Sequence, residues 1–144
     1  MSEPTPMPVL ESVLETSLYV SNLEASLLFY REVFGFNPLY YDPARMASLS
    51  VAGKQVLLLF LKGASRLSVE VPGGTIPGHD GDGELHLAFA ISTGDLPNWR
   101  TWLHQQQIPI EAEMHWDRGG DSLYFRDPDG HLLELVTPGV WSIR

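Results

Sequence analysis

The stretch LETSLYVSNLEASLLFYREVFGF, residues 14–36, decides the fold. It begins with an alternating pattern in which Leu18 and Val20 share one face, as in a strand that is buried on one side. Apolar side chains then recur at helical spacing as far as Gly35, which predicts an amphipathic helix that ends at that glycine. Three strand candidates follow in residues 38–62, so the first half of the chain reads β-α-β-β-β.

The start of this predicted helix has two candidate caps. Ser21 or Asn22 can accept a hydrogen bond from a free N–H group of the first turn. Glu24 lies three residues after Ser21 and would complete a capping box with it. The sequence therefore predicts that the helix begins directly after the first strand.

The same pattern returns in the second half of the chain. A shift of 71 positions places Leu18 on Phe89 and Val20 on Ile91, and Asp95 can cap a second helix just beyond. Three more strand candidates follow. An internal repeat of this kind predicts two similar modules related by a rough twofold axis. The predicted fold class is α+β, with two β-α-β-β-β modules that form a curved mixed sheet around a cavity and carry their helices outside.

The repeat also sets the predicted boundaries within one domain. Residues 1–12 carry three prolines and are expected to form a flexible N-terminal arm. The first module spans residues 13–70 and the second spans residues 85–144. Between them, residues 71–84 are rich in glycine and poor in apolar side chains, which is typical of a connector.

Composition excludes several classes of protein. The 144 residues are 44% hydrophobic and 19% charged, which is typical of one globular domain and not of a disordered or membrane protein. A net charge of -9 would repel nucleic acid, so nucleic acid is not an expected partner. The absence of cysteine and of an export signal in the first residues favours a cytoplasmic location.

Three ionisable residues interrupt the apolar pattern of the strands: Glu15, His86 and Glu134. Glu15 and His86 occupy equivalent positions in the repeat, and all three point away from the predicted helices. They are therefore either ordinary residues on the solvent side of half-exposed strands or the ligands of a metal site at the cavity. Carboxylate and imidazole groups are suitable ligands for many divalent cations.

The residues of both modules resemble a known family. The run of residues 14–36 is similar to the opening of a module of the vicinal oxygen chelate superfamily, and FRDPDGHLLELV, residues 125–136, is similar to its closing signature. This superfamily includes glyoxalase I, fosfomycin-resistance and bleomycin-resistance proteins, and extradiol dioxygenases. The resemblance places metal ligands on Glu15, His86 and Glu134. Glu15 is a departure, since histidine is frequent there, and a fourth ligand of glyoxalase I falls near Leu57, which cannot bind a metal.

By this resemblance, the chain is expected to be a glyoxalase-like enzyme of the lyase or isomerase type. It would hold one divalent ion (Mn, Ni, Co, Zn, Fe or Mg) and stabilise an enolate or oxyanion of a small substrate with vicinal oxygens. Glu134 and Glu15 are the candidate catalytic groups. Two alternatives remain open: a metal-free, bleomycin-resistance-like binding protein and an extradiol-type dioxygenase. Exposed apolar strands favour a homodimer, in which the modules pair either within one chain or between chains.

Three further residues are candidates for substrate binding. Tyr124 and Arg126 are expected to share the face of Glu134, where a phenol and a guanidinium can hold an anionic substrate. The alternative is that Tyr124 packs and Arg126 pairs with a surface acid. Trp116 is expected at the mouth of the cavity. The remaining histidines are expected to be solvated (His79, His104, His115) or structural (His131).

Overall fold

The computed structural model describes residues 2–143 and confirms the two-module architecture. Met1 and Arg144, the outermost residues of the predicted arm and second module, lie outside the described residues. The first module consists of strands β1 to β4 and one helix, with these bounds: β1 Glu15–Val20, α1 Leu23–Phe34, β2 Asn37–Asp42, β3 Met46–Val51 and β4 Gln55–Leu61. The second repeats the order, with these bounds: β7 His86–Ala90, α2 Leu96–Gln105, β8 Ala112–His115, β9 Asp121–Arg126 and β10 Leu132–Val136.

Each module forms its own four-stranded mixed sheet. The strand order is β1-β4-β3-β2 in the first sheet and β7-β10-β9-β8 in the second. In each case the first strand of the module runs parallel to the last strand, and the other pairs are antiparallel. The equivalence of Glu15 and His86 that the repeat predicts is confirmed, because each residue begins the parallel edge strand of its sheet.

One face of each sheet packs against the helices. Leu18, Leu57 and Leu59 of the first sheet and Leu133 and Leu135 of the second are at most 2% exposed and belong to a single apolar core. Helices α1 and α2 contribute to the same core through side chains that recur at helical spacing. The helices therefore lie on one side of the sheets, and the opposite side carries the alternate residues of every strand.

The start of α1 differs in part from the prediction. Asn22 caps the helix by accepting a hydrogen bond from the Ala25 N–H group at 3.0 Å, as one of the two predicted alternatives requires. The capping box between Ser21 and Glu24 is wrong, because Ser21 instead donates its N–H and hydroxyl groups to the Asp129 carboxylate. That carboxylate belongs to the other module, which a local sequence pattern does not reveal.

A buried polar joint holds the two modules together. His131 is fully buried; its Nδ1 accepts a hydrogen bond from the Leu85 N–H group, and its Nε2 donates to the Tyr19 carbonyl oxygen, both at 2.8 Å. The Tyr30 hydroxyl donates to Asp127 Oδ2 at 2.7 Å. The bonds from His131 to Tyr19 and from Tyr30 to Asp127 cross between modules, so the turn that precedes β10 fastens the second module to the first.

Residues between and before the modules are mostly exposed. The predicted connector contains part of a short hairpin, β5 Val69–Val71 and β6 Gly74–Ile76, followed by irregular chain. Residues 2–14 form neither helix nor strand and are exposed. No helix within residues 2–143 combines the length and the apolar character needed to cross a membrane.

Candidate functional site

The second sheet brings a histidine, a carboxylate and a tyrosine to the face opposite the helices. In β10, Leu133 and Leu135 point into the core, so Glu134 points to the other side. Glu134 lies directly across from Tyr124 of β9, and His86 of β7 lies across from Leu132, one step along the same face. We call the side of the second sheet that carries His86, Ser122, Tyr124 and Glu134 the open face.

His86 and Glu134 form the centre of the open face. His86 Nε2 lies 3.2 Å from Glu134 Oε1. His86 Nδ1 lies 2.8 Å from the Leu132 carbonyl oxygen, which can only accept, so Nδ1 carries the proton of that hydrogen bond. In the neutral ring, Nε2 presents its lone pair toward the carboxylate, so either a proton on Nε2 or a bound metal ion would bridge the two atoms.

The sequence prediction missed Ser122 as a functional residue. Ser122 is 1% exposed, and its hydroxyl donates to Glu134 Oε2 at 2.5 Å. The Trp116 indole N–H group donates to Ser122 Oγ at 2.8 Å. The signal that could have found Ser122 is its place in β9, two residues before Tyr124 and therefore on the same face. Trp116 thus contacts the site through its ring nitrogen.

These two ligand candidates fit a divalent metal. Two donor atoms that each lie about 2.1 Å from one cation, at angles between 90° and tetrahedral, are roughly 3.0 to 3.4 Å apart. The 3.2 Å between His86 Nε2 and Glu134 Oε1 falls within that range. Metal-binding histidines usually donate their second ring N–H group to a carbonyl or carboxylate, and His86 does so to Leu132.

Glu15 lies on the other sheet. It is the exposed first residue of β1 and pairs with Val56 of β4 in the register of the first sheet. Across residues 2–143, no three His, Asp or Glu side chains are grouped so that they could hold a metal ion. One copy of the chain therefore brings together two of the three predicted metal ligands.

Tyr124 faces this pair closely. Its ring centroid lies 6.4 Å from that of His86, in a tilted arrangement. Burial and the neighbouring Glu134 carboxylate raise the pKa of the Tyr124 phenol. The phenol thus keeps its proton near neutral pH and acts there as a hydrogen-bond donor.

Arg126 lies at the rim of the open face and is paired with acidic residues. Its Nε atom donates to Glu111 Oε2 at 2.8 Å, and its Nη1 atom lies 3.6 Å from Glu84 Oε2. Hydrogen bonding to Glu111 raises the pKa of the guanidinium further. The acidic partners thus largely balance the charge of Arg126. This agrees with the alternative prediction that Arg126 pairs with a surface acid.

The other histidines differ in their surroundings. His131 has the structural role that the sequence predicted. His79 was expected to be solvated, and this prediction is wrong: the ring is half-buried, its Nδ1 lies 2.7 Å from the Tyr19 hydroxyl, and it packs edge-on against Phe60. The connector folds back over the first sheet there, which the glycine-rich sequence does not show. His104 and His115 are exposed, as expected.

Comparison with known proteins places this chain in a family. A sequence model of the Glyoxalase/Bleomycin resistance protein/Dioxygenase superfamily matches residues 12–135. The metallothiol transferase FosB of Staphylococcus haemolyticus is 31% identical over 119 residues, which cover 82% of this chain and 77% of that relative. FosB of Bacillus licheniformis is 30% identical over 124 residues, which cover 85% of this chain and 73% of the relative.

Solved structures agree with the sequence comparison. The crystal structure of lactoylglutathione lyase from Agrobacterium tumefaciens has a TM-score of 0.85 at 30% identity, and the match covers 93% of this chain and 98% of that one. The fosfomycin resistance protein FosX of Listeria monocytogenes shares the fold, with a TM-score of 0.64 at 19% identity over 93% of this chain and 97% of that one. FosB and the lyase are enzymes by name, a transferase and a lyase. The chain belongs to the glyoxalase/bleomycin resistance protein/dioxygenase superfamily.

Proposed function

We propose that this chain is a metal-dependent enzyme acting on a small substrate with neighbouring oxygen atoms, and that His86 and Glu134 bind its divalent cation. The observation that carries the proposal is the 3.2 Å approach of His86 Nε2 to Glu134 Oε1. Each side chain is held from behind by a hydrogen bond, His86 to the Leu132 carbonyl oxygen and Glu134 to the Ser122 hydroxyl. Ligands oriented in this way are typical of metal sites.

The third ligand in this proposal is Glu15 from a second copy of the chain. Glu15 is exposed at the edge of the first sheet, and the site on the second sheet has two protein ligands within one copy. A homodimer in which the first sheet of one copy faces the second sheet of the other would bring the three together. Exposed apolar side chains next to Glu15, among them Val13 at 62% and Leu14 at 68% exposure, support such an interface.

The protein groups have distinct roles in the proposed reaction. When bound, a divalent cation would polarise an oxygen of the substrate and stabilise negative charge that develops on it. The Tyr124 hydroxyl donates a hydrogen bond to a second substrate oxygen. The indole of Trp116 forms part of the wall of the substrate site. Glu134 and Glu15 are the carboxylates that can accept a proton from substrate and return it. Arg126 contributes to substrate binding at the rim of the open face, where its guanidinium is already hydrogen-bonded to Glu111.

Two reaction types are proposed from the names of the relatives. A lyase or isomerase reaction, in which an enolate or oxyanion forms, is in line with the lyase whose structure matches at 30% identity. Transfer of a thiol is in line with the metallothiol transferases at similar identity. Both names contain a sulfur compound, so we propose a thiol, or a thiol adduct, as one part of the substrate. A cytoplasmic location stays a prediction of the sequence.

The test uses purified protein with Mn²⁺, Ni²⁺, Co²⁺, Zn²⁺, Fe²⁺ or Mg²⁺, before and after chelation. The substrates are a ketoaldehyde thiol adduct, fosfomycin with a thiol, and a catechol; a glycopeptide drug tests sequestration. We expect metal-dependent product from one of the first two. Conversion of the catechol with uptake of oxygen would favour the dioxygenase. Binding that survives chelation, without product from any compound, would overturn the enzyme and support a sequestering protein.

Two variants separate the metal ligand from the substrate contact. His86→Ala should abolish both metal binding and turnover, because it removes a ligand. Tyr124→Phe should leave metal binding intact and lower kcat/KM by roughly 10-fold or more, since it removes one hydrogen bond to substrate. Isothermal titration with the metal and steady-state kinetics measure the two effects. Equal metal affinity in His86→Ala and the parent protein would contradict the proposed site.

A further inference from the structure

Building on the proposed metal site, we propose that Trp116 and Ser122 are positioning residues, which turn Glu134 so that it offers one oxygen, Oε1, to the cation. The three side chains form a continuous hydrogen-bond chain from the Trp116 indole through the Ser122 hydroxyl to Glu134 Oε2. We call it the Trp-Ser-Glu chain. Ser122 is 1% exposed and Glu134 is 8% exposed, so water has little access to these hydrogen bonds.

The chemistry of the donors fixes the direction of the Trp-Ser-Glu chain. An indole N–H group can only donate, so the Ser122 oxygen must be the acceptor of the bond from Trp116. The single hydroxyl proton of Ser122 is then free for one partner, and Glu134 Oε2 lies 2.5 Å away. Removing the indole N–H group would let the hydroxyl rotate, although Ser122 itself would stay in place.

This direction determines how Glu134 can bind a cation. Because Oε2 is occupied by the Ser122 proton, Oε1 is the oxygen that remains toward His86 Nε2. A carboxylate that binds through one oxygen uses one coordination position, whereas a bidentate carboxylate uses two. The Trp-Ser-Glu chain therefore keeps a position free for an oxygen of the substrate, which a site that chelates neighbouring oxygens requires.

The loop that carries Trp116 is itself held against the C-terminal segment of the polypeptide. Within the loop, the Trp116 N–H group donates to the Gly120 carbonyl oxygen at 3.0 Å. The backbone of Gly119 and Gly120 lies so close to Gly139 and its neighbours that a Cβ atom at Gly139 would lie 2.9 Å from the Gly119 carbonyl carbon. The Asp121 N–H group donates to the Thr137 hydroxyl at 2.8 Å. The loop that carries Trp116 is thus held by contacts that do not involve the proposed metal ligands.

The experiment measures the affinity for Mn²⁺ by the electron paramagnetic resonance signal of the free ion, with no substrate present. Loss of a group that orients a metal ligand commonly weakens binding by roughly 10- to 100-fold, and we expect this for Ser122→Ala. For Trp116→Phe we expect a smaller loss, about 3- to 10-fold, because the serine can still reach Glu134. Ser122→Thr keeps the hydroxyl and should bind within about threefold of the parent protein.

The double variant gives the sharpest result. If Trp116 acts only through Ser122, then Ser122→Ala with Trp116→Phe should bind Mn²⁺ as Ser122→Ala does, within about twofold. Independent, additive losses would overturn the proposal. The spectrum of bound Co²⁺ should also change in Ser122→Ala, because Glu134 is then free to bind through both oxygens.

Two control variants exclude a merely structural effect. Ser26 is also fully buried and donates to a carboxylate, Asp129 Oδ2, but it lies on α1 outside the site. Ser26→Ala should lose stability and keep its Mn²⁺ affinity, and Trp141→Phe, at an indole that is 70% exposed, should keep both. Unchanged Mn²⁺ affinity in Ser122→Ala and Trp116→Phe, with binding lost in His86→Ala, would overturn the Trp-Ser-Glu chain alone. Unchanged affinity in His86→Ala would overturn the metal site with it.

Discussion

Replacing Tyr30 by phenylalanine tests the joint between the modules. The Tyr30 hydroxyl is the donor to Asp127 Oδ2 at 2.7 Å, whereas Oδ1 of the same carboxylate accepts from the His131 and Asp129 N–H groups. Asp127 is only 6% exposed, so Oδ2 would lose its partner without gaining free access to water. Hydrogen bonds to charged groups contribute about 1.5 to 3 kcal/mol, so Tyr30→Phe should lower the free energy of unfolding by about 2 kcal/mol.

Urea denaturation followed by circular dichroism measures this loss. In a domain of this length, 2 kcal/mol corresponds to a fall in Tm of about 7 °C. Tyr40→Phe is the matched control, because Tyr40 is 57% exposed on β2 and the same substitution there should change the free energy by less than about 0.5 kcal/mol. If Tyr30→Phe were as stable as Tyr40→Phe, the bond to Asp127 would not be what fastens the modules.

Three other outcomes are expected. Burial and Asp127 raise the pKa of Tyr30 well above 10.0, so above pH 10 the unfolded state releases a proton that the folded state retains; stability should fall by up to about 1.4 kcal/mol per pH unit, and Tyr30→Phe should remove this slope. Gly120→Ala should cost roughly 2 to 4 kcal/mol, since φ is +90° and the new Cβ would lie 2.9 Å from a carbonyl oxygen, whereas Gly94→Ala, with open space, should be neutral in thermal unfolding. Arg126→Ala should change KM for an anionic substrate by less than about threefold, because Glu111 already pairs with the guanidinium; a much larger rise would show that substrate displaces Glu111.

Sequence periodicity was sufficient for the modules because it reports local burial. The alternation around Leu18 and the shift that relates Glu15 to His86 depend on strand and helix periods alone, and both are found in the structure. The same alternation places Glu134 and Tyr124 on one face, where they are direct cross-strand partners. Such features can be predicted because the periodicity of the sequence determines on which face of a strand or helix each side chain lies.

What depends on contacts between distant segments could not be predicted. The sequence shows that Ser122 shares a face with Tyr124, but not that an indole six residues earlier turns back to bind its hydroxyl. It predicts that Arg126 shares the face of Glu134, but the pairing with Glu111 depends on how the residue just before β8 lies beside β9. The distance between Glu15 and the other two predicted ligands depends on how two sheets, or two copies, face each other.

The buried polar joint has a consequence for how relatives of this chain are recognised. Within FRDPDGHLLELV, residues 125–136, Asp127 and His131 bind the other module, and only Glu134 reaches the centre of the open face. A search that scores this segment therefore selects proteins whose two modules are joined in the same way, whatever reaction those proteins catalyse. Sorting the superfamily by reaction should instead weight positions such as 15, 116, 122 and 124, whose side chains have no part in that assembly.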